Sequence, residues 1–298
     1  MKRIKVDGKT IAYRDVGEGP AIILAHCSSG SHREWNFLFD ALGSRYRVLA
    51  PDLIGYGKSD PWPAGRQLDP REEVNVILQL AELAGGPVHL AGHSYGAAVL
   101  LEASRLLGSR ARTLTLVEPV AFHLLRLAGW TAEWNEIQSV GHRIIGQLTR
   151  GRADRSAAAY MGFWVGRLRW WLMPSKARRT IMKSIDKVAA EFAMLEIFPT
   201  TLSDYEAITV PTRLIVGERT RKPARAVTEI LVSLLSRAHL RTIPGAGHMS
   251  PFTHRHAVQQ LMVEHITESE TSEESERSET MAYLPPTMAT LPSLPTRR

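Results

Sequence analysis

Val88-His89-Leu90-Ala91-Gly92-His93-Ser94-Tyr95-Gly96-Ala97-Ala98 decides how this chain is read. Val88–Ala91 is an apolar run with the look of a buried strand, and the small residues after Gly96 begin a helix. Between them lies Gly-x-Ser-x-Gly. In that strand–turn–helix context the pentapeptide makes a sharp, strained turn that lifts the serine hydroxyl above the C-terminal edge of a sheet. Glycine suits positions 92 and 96 because a side chain at either would crowd strand against helix. Ser94 would then sit near the positive end of a helix, a nucleophile that needs a base. The pentapeptide alone would also fit any Gly-rich connection; the flanking strand and helix narrow the reading to catalysis.

Working outward, short apolar runs alternate with amphipathic ones. Residues 3–8 and 9–17 alternate apolar and polar, and read as two antiparallel strands turned at Asp7-Gly8. Ala21–Ala25 reads as a strand covered on both faces, and Arg47–Ala50 as a further strand. They lead into His26-Cys27-Ser28-Ser29-Gly30-Ser31 and Pro51-Asp52-Leu53-Ile54-Gly55-Tyr56-Gly57-Lys58-Ser59-Asp60. Asp69-Pro70-Arg71-Glu72 starts a helix with an Asp cap and Pro in first position. Strands follow at 111–117, 212–216 and 240–243, with helices near 95–107 and 223–235 and a last one carrying Val258, Leu261, Met262 and His265. Such alternation means a mostly parallel sheet with helices on both faces. The loops after the strands then gather at one sheet edge, where ligands bind in folds of this type.

Residues 120–205 break the pattern. They contain no convincing strand and five of the tryptophans: Trp130, Trp134, Trp164, Trp170 and Trp171. Those tryptophans, with the methionines, hint at an apolar substrate; the plainer reading is packing within this helical stretch. From Thr267 onward Ser, Thr, Glu and Pro dominate, the composition of a disordered tail. The expected organisation is a core of 1–119 and 206–266, a helical insert at 120–205 and a tail at 267–298.

The chain of 298 residues is 44% hydrophobic, enough for a full core. The formal net charge is +7, yet no nucleic-acid motif accompanies it. No apolar run is long enough to span a membrane, and Met1-Lys2-Arg3 leads into a polar strand rather than a signal peptide. The single cysteine, Cys27, excludes an internal disulfide and fits a reducing cytoplasm. His254 and His256, at the start of the last helix, have a spacing that suggests no metal site, and none is expected. The expected partner is a small apolar acyl substrate. No cofactor, nucleic acid or membrane span is expected, and the oligomeric state stays open.

Across roughly residues 5–265 the chain resembles the α/β-hydrolase superfamily. The resemblance rests on the His26 loop, the Pro51–Asp60 stretch, the Ser94 turn, the helical insert and Pro244-Gly245-Ala246-Gly247-His248, in that order. It implies an α/β-hydrolase fold, a mostly parallel eight-stranded sheet with a helical cap at 120–205. It also implies His248 as the base, and its place in a Gly-flanked loop after the last strand agrees with that role. The oxyanion hole would use the backbone N–H of Tyr95 and, matched residue by residue, of Ser28. Cys27 stands where the family commonly has glycine. As a nucleophile it is a poor alternative, since no sharp turn presents it.

The family's usual triad Asp would fall at Thr220. Glu118, at the end of strand six, is the favoured acid. Glu218 is the alternative, and an incomplete triad is the third reading. The reaction so implied is serine-dependent cleavage of an ester or related acyl bond through an acyl-enzyme. C–C, thioester and perhydrolysis chemistry remain open within the fold, and a non-catalytic binding protein outside it. A nucleophilic serine argues against dehalogenase or epoxide hydrolase chemistry, where the resembling enzymes use Asp.

Overall fold

Alternate residues of the central strands feed two separate cores, as the two-residue period of a strand requires. In β3 (Ala21–Ala25), Ala21, Ile23 and Ala25 face one layer while Ile22 and Leu24 face the other. The computed structural model of the chain describes residues 1–196 and 198–282. The remaining strands are β1 (Lys2–Val6), β2 (Lys9–Val16), β4 (Arg47–Pro51), β5 (Val88–His93), β6 (Ala111–Val117), β7 (Thr212–Gly217) and β8 (Ala238–Ile243). They form one eight-stranded sheet in the order β1-β2-β4-β3-β5-β6-β7-β8. β1 and β2 pair antiparallel with each other, and β2 antiparallel with β4; from β4 to β8 the pairing is parallel. This is the α/β-hydrolase sheet expected from the sequence.

Helices cover both faces. On the face of Ile22 and Leu24 lie α1 (Asn36–Leu42), with Leu38, Phe39 and Leu42, and the last helix, with Val258, Met262 and Ile266. On the other face lie α2 (Pro70–Ala84) and α3 (Tyr95–Leu107). Asp69 caps α2 by accepting from the Arg71 N–H at 2.9 Å, with Pro70 in first position, a cap of the kind worth about 1 kcal/mol.

Between β6 and β7 the described residues form helices and no strand. These are α4 (His123–Leu127), α5 (Thr131–Leu148), α6 (Ala153–Val165), α7 (Arg167–Leu172), α8 (Ser175–Lys183), α9 (Ile185–Glu196) and α10 (Leu202–Glu206). They occupy the stretch expected to form a cap. After β7 come α11 (Lys222–Leu234), then, beyond β8, α12 (Ser250–Thr253) and α13 (Arg255–Ala282).

One expectation is corrected here. The tail does not begin at Thr267: α13 runs through that residue to Ala282. Extending a packed helix adds a backbone bond per residue without a new nucleation cost. The extension is also held by side chains. Glu268 accepts from Arg213 Nη2 at 2.7 Å and Glu270 from the Tyr46 hydroxyl at 2.7 Å. The rest of the expected tail, 283–298, lies outside the described residues.

Candidate active site

The β5–α3 turn has the geometry that its glycines allow. Ser94 sits at φ 55° and ψ −116°, a left-handed conformation that a non-glycine residue adopts only when its surroundings enforce it. They do so by close approach. A Cβ on Gly96 would lie 2.4 Å from the Ala25 carbonyl oxygen, and one on Gly92 would lie 2.8 Å from Leu100 Cδ1. The Ser94 N–H is held by the Val117 carbonyl at 2.9 Å.

His248 comes to this serine from the loop after β8, 154 residues away in sequence, with Nε2 3.0 Å from Ser94 Oγ. Its Nδ1 lies 3.2 Å from Glu118 Oε2. A carboxylate can only accept, so Nδ1 carries the proton and Nε2 is left to accept from the Ser94 hydroxyl. Glu118 follows directly on β6 and is itself at φ 50°, with its N–H on the Ile215 carbonyl at 2.8 Å. Its Oε1 accepts the Gly217 N–H at 2.6 Å, and its Oε2 also accepts from the Thr220 hydroxyl. Burial alone would raise the Glu118 pKa. The bonds from His248, Thr220 and Gly217 outweigh it and hold the carboxyl below its usual range. For His248 burial wins: its pKa lies below the ordinary histidine value despite the Glu118 carboxylate.

The alternative acid points elsewhere. Glu218 Oε2 accepts the Gly245 N–H at 2.8 Å, bracing the loop that carries His248 without touching the imidazole. Thr220, where the resemblance would have put an acid, contributes its hydroxyl to Glu118 instead.

The Tyr95 N–H opens α3 and so has no acceptor within the helix. In the loop after β3, the Cys27 N–H donates to Glu34 Oε2 at 2.9 Å and the Gly30 N–H to the Cys27 carbonyl at 3.0 Å. Neither bond uses the Ser28 N–H. Burial and the nearby Glu34 carboxylate push the Cys27 thiol well above its usual pKa, which keeps it protonated and unreactive. His26 braces the same loop: its Nδ1 meets the Cys27 carbonyl at 2.7 Å and its Nε2 accepts the Leu53 N–H at 2.9 Å.

Three groups at the site gave no usable signal in the sequence. Glu34, in the short 3₁₀ turn His32–Trp35, puts Oε1 2.6 Å from His93 Nδ1. The other nitrogen of His93 donates to the His248 carbonyl at 2.9 Å. Both partners are acceptors, so His93 is a buried imidazolium paired with a carboxylate. Burial opposes the charge on each. Their mutual attraction nevertheless leaves the His93 pKa raised and the Glu34 pKa lowered. Ligand-type atoms of Cys27, Glu34 and His93 lie within 4.8 Å of one another, but those of Glu34 and His93 are already used in these bonds.

The second group is Trp164, from α6, whose ring stacks on His248 with centroids 3.6 Å apart and planes 16° from parallel. The third is α9. Glu191 accepts from the Ser28 hydroxyl and from the Tyr56 hydroxyl, each at 2.6 Å. Lys187, fully buried, lies 2.9 Å from Glu73, 3.5 Å from Glu191 and 3.5 Å from the Tyr95 hydroxyl.

A sequence model of the alpha/beta hydrolase family matches residues 22–261. The chain belongs to that family. Over 118 residues the chain is 33% identical to the dihydrolipoyllysine-residue acetyltransferase component of the acetoin cleaving system of Pseudomonas putida, covering 39% of this chain and 32% of that one. Over 103 residues it is 33% identical to the pyrrolizixenacetamide deacetylase of Xenorhabdus hominickii, covering 34% of this chain and 38% of that one. The chain thus spans about a third of the length of these curated relatives. Among solved structures, a thermophilic esterase from Thermogutta terrifontis superposes with a TM-score of 0.73 at 21% identity, over 90% of this chain and 99% of that one. At that identity the likeness is one of fold.

Proposed function

We propose that this member of the alpha/beta hydrolase family is a serine hydrolase that cleaves an ester or related acyl bond. The observation that carries the reading is the continuous relay from Ser94 Oγ through His248 to Glu118, with contacts of 3.0 and 3.2 Å. In this reading His248 Nε2 takes the Ser94 proton as Oγ attacks the acyl carbon. The imidazolium that forms is balanced by Glu118, already ionised and already oriented by Gly217 and Thr220. The Ser28 and Tyr95 N–H groups receive the negative charge that develops on the acyl oxygen. His248 then returns the proton to the leaving group, and water, activated by the same base, releases the acyl group and restores Ser94.

The helices between β6 and β7 act as a cap in this reading. Ser94 and His248 are each only 4% exposed, and Trp164 covers the imidazole. The substrate is a small apolar acyl compound that enters as the cap moves. No cofactor takes part in these steps. Treatment with a fluorophosphonate probe tests the assignment: the native protein is labelled, and Ser94→Ala is folded and unlabelled. Labelling of the alanine variant overturns the nucleophile. A native protein that resists labelling overturns the enzyme reading and favours a binding role on the same scaffold.

A further inference from the structure

α7 sits in an unusual stretch of the chain. From residue 155 to 185 there are seven basic residues, Arg155, Arg167, Arg169, Lys176, Arg178, Arg179 and Lys183, and no acidic one. Within it, Leu168, Trp171 and Leu172 are 73%, 65% and 74% exposed, more than any other large apolar side chain among the described residues. Spacings of three and four residues put the three on one side of α7, while Trp170 between them is buried and anchors the helix to the body. On α8, Lys176, Arg179 and Lys183 are exposed and follow helical spacing along one face. The two helices present their groups together: the Arg178 guanidinium lies 5.9 Å from the centroid of the Trp171 ring. Among the described residues, none of the basic residues of α7 and α8 has an acidic partner.

We propose that α7 and α8 form a docking face for a bilayer surface bearing anionic phospholipid. Leu168, Trp171 and Leu172 would enter the boundary between headgroups and acyl chains, where an indole ring and aliphatic side chains are stable. The lysines and arginines around them would meet the lipid phosphates. Each half of the face discriminates against another occupant. A nucleic acid would satisfy the basic residues and leave the leucines bare. A second copy of the chain would cover the leucines but set one basic rim against another. An anionic bilayer satisfies both. No described helix is long and apolar enough to cross a membrane, so the contact is one of lying on the surface.

The test is sedimentation of the full chain with sucrose-loaded vesicles, which does not depend on Ser94 chemistry. Equimolar phosphatidylglycerol–phosphatidylcholine vesicles should carry the protein down, pure phosphatidylcholine vesicles should not, and added salt should release it. Each basic residue near such a surface strengthens partitioning about fivefold. The variant Lys176→Glu/Arg179→Glu/Lys183→Glu should therefore lose a factor on the order of 100 or more. Leu168→Ser/Trp171→Ser/Leu172→Ser should also lose binding with its charge unchanged. Circular dichroism and melting temperature show that both variants remain folded. The proposal is overturned if neutral vesicles bind equally, if no vesicle binds, or if the serine triple variant binds like the native chain. It is also overturned if the face proves to hold another occupant: a concentration-dependent dimer abolished by the serine triple variant, or duplex DNA bound more tightly than vesicles.

Discussion

Glu118→Gln isolates the electrostatic part of the proposed relay, because the amide is nearly isosteric with the carboxylate. Glu118 accepts three hydrogen bonds, from Gly217 N–H on Oε1 and from Thr220 and His248 on Oε2. A glutamine has one acceptor oxygen and must choose. If its oxygen stays on the Gly217 N–H, its NH₂ faces Thr220 and His248. The Thr220 hydroxyl can turn and accept. His248 Nδ1 must then give up its proton and accept as well, which moves the proton to Nε2 and aims an N–H donor at Ser94. That is the wrong tautomer for a base, and such a change lowers turnover by up to about 10⁴, or about 5 kcal/mol on the barrier. If the amide flips, the tautomer is preserved, but NH₂ meets the Gly217 N–H across a 2.6 Å gap. A buried donor left unsatisfied costs about 1–3 kcal/mol, less than the catalytic barrier but directly from stability.

The expected outcome is the first: kcat falls by about 10³–10⁴, KM changes little, and the melting temperature stays close to native. Initial rates on p-nitrophenyl esters and a thermal melt read both quantities. Glu218→Gln is the control, expected to change kcat only a few-fold because Glu218 touches the Gly245 N–H and not the imidazole. Adding Thr220→Asp to Glu118→Gln should restore part of the rate, since the side chain at 220 already contacts the carboxylate that serves His248. A Glu118→Gln enzyme within tenfold of native and melting normally would refute the reasoning, as would an equal loss in Glu218→Gln.

Three further outcomes follow from the same geometry. Burial lowers the His248 pKa, so kcat/KM should rise with pH along an acid limb centred below about 6.5, the ordinary histidine value; a limb above that value contradicts the assigned base. His93 is raised and Glu34 lowered, so the pair stabilises the fold most between the unfolded values of about 4.3 and 6.5, losing the Glu34 part as pH falls through its folded pKa and the His93 part as pH rises through its own. Glu34→Gln should cost about 3 kcal/mol near pH 5.5, measured by denaturant melts, and less at pH 9; a flat difference across that range removes the ion pair. Glu270→Gln should cost about 1–2 kcal/mol by weakening a part-buried charged hydrogen bond to Tyr46, and an unchanged melt would detach this part of α13 from the body.

The fold could be read because its signals are local: the Ser94 turn, the alternating apolar runs and the Asp69 cap each occupy a few adjacent residues. Ser94, His248 and Glu118, the residues expected at the site, come within hydrogen-bonding distance for the reason the strand order gives. β5, β6, β7 and β8 are neighbours in the sheet, and their C-terminal loops meet. Glu34 could not be found this way. An acid in a polar turn has the pattern of a solvated charge, and only the approach of His93 from another strand makes it a buried counter-ion. Trp164 was one of five tryptophans in the helical insert, and helical spacing says which face a residue takes but not what that face meets. The helix beyond Thr267 was missed because composition weighs each residue alone, whereas Glu268 and Glu270 are held by partners on β7 and beside β4.

In the proposed reading the insert would do more than cover the site, and α9 shows how. Lys187 and Glu191 are one helical turn apart and buried against Glu73. Removing such charges from water costs several kcal/mol per ion, so their presence is weak grounds for stability. Burial even raises the Glu191 pKa, despite Lys187 and the Ser28 and Tyr56 hydroxyls. What the cluster does achieve is register. Glu191 grips the side chain of Ser28, and Lys187 approaches that of Tyr95. These are the two residues whose backbone N–H groups would form the oxyanion hole, and they come from loops after different strands. Donors of this kind work only when both lie about 2.7–3.1 Å from one oxygen position. Two loops braced against a single helix keep that spacing better than two loops packed independently. The same insert lays Trp164 on His248. In the proposed reading, a movement of this insert that admits substrate would act on His248 and on the Ser28 and Tyr95 donors together, which would tie closure of the site to assembly of its chemistry.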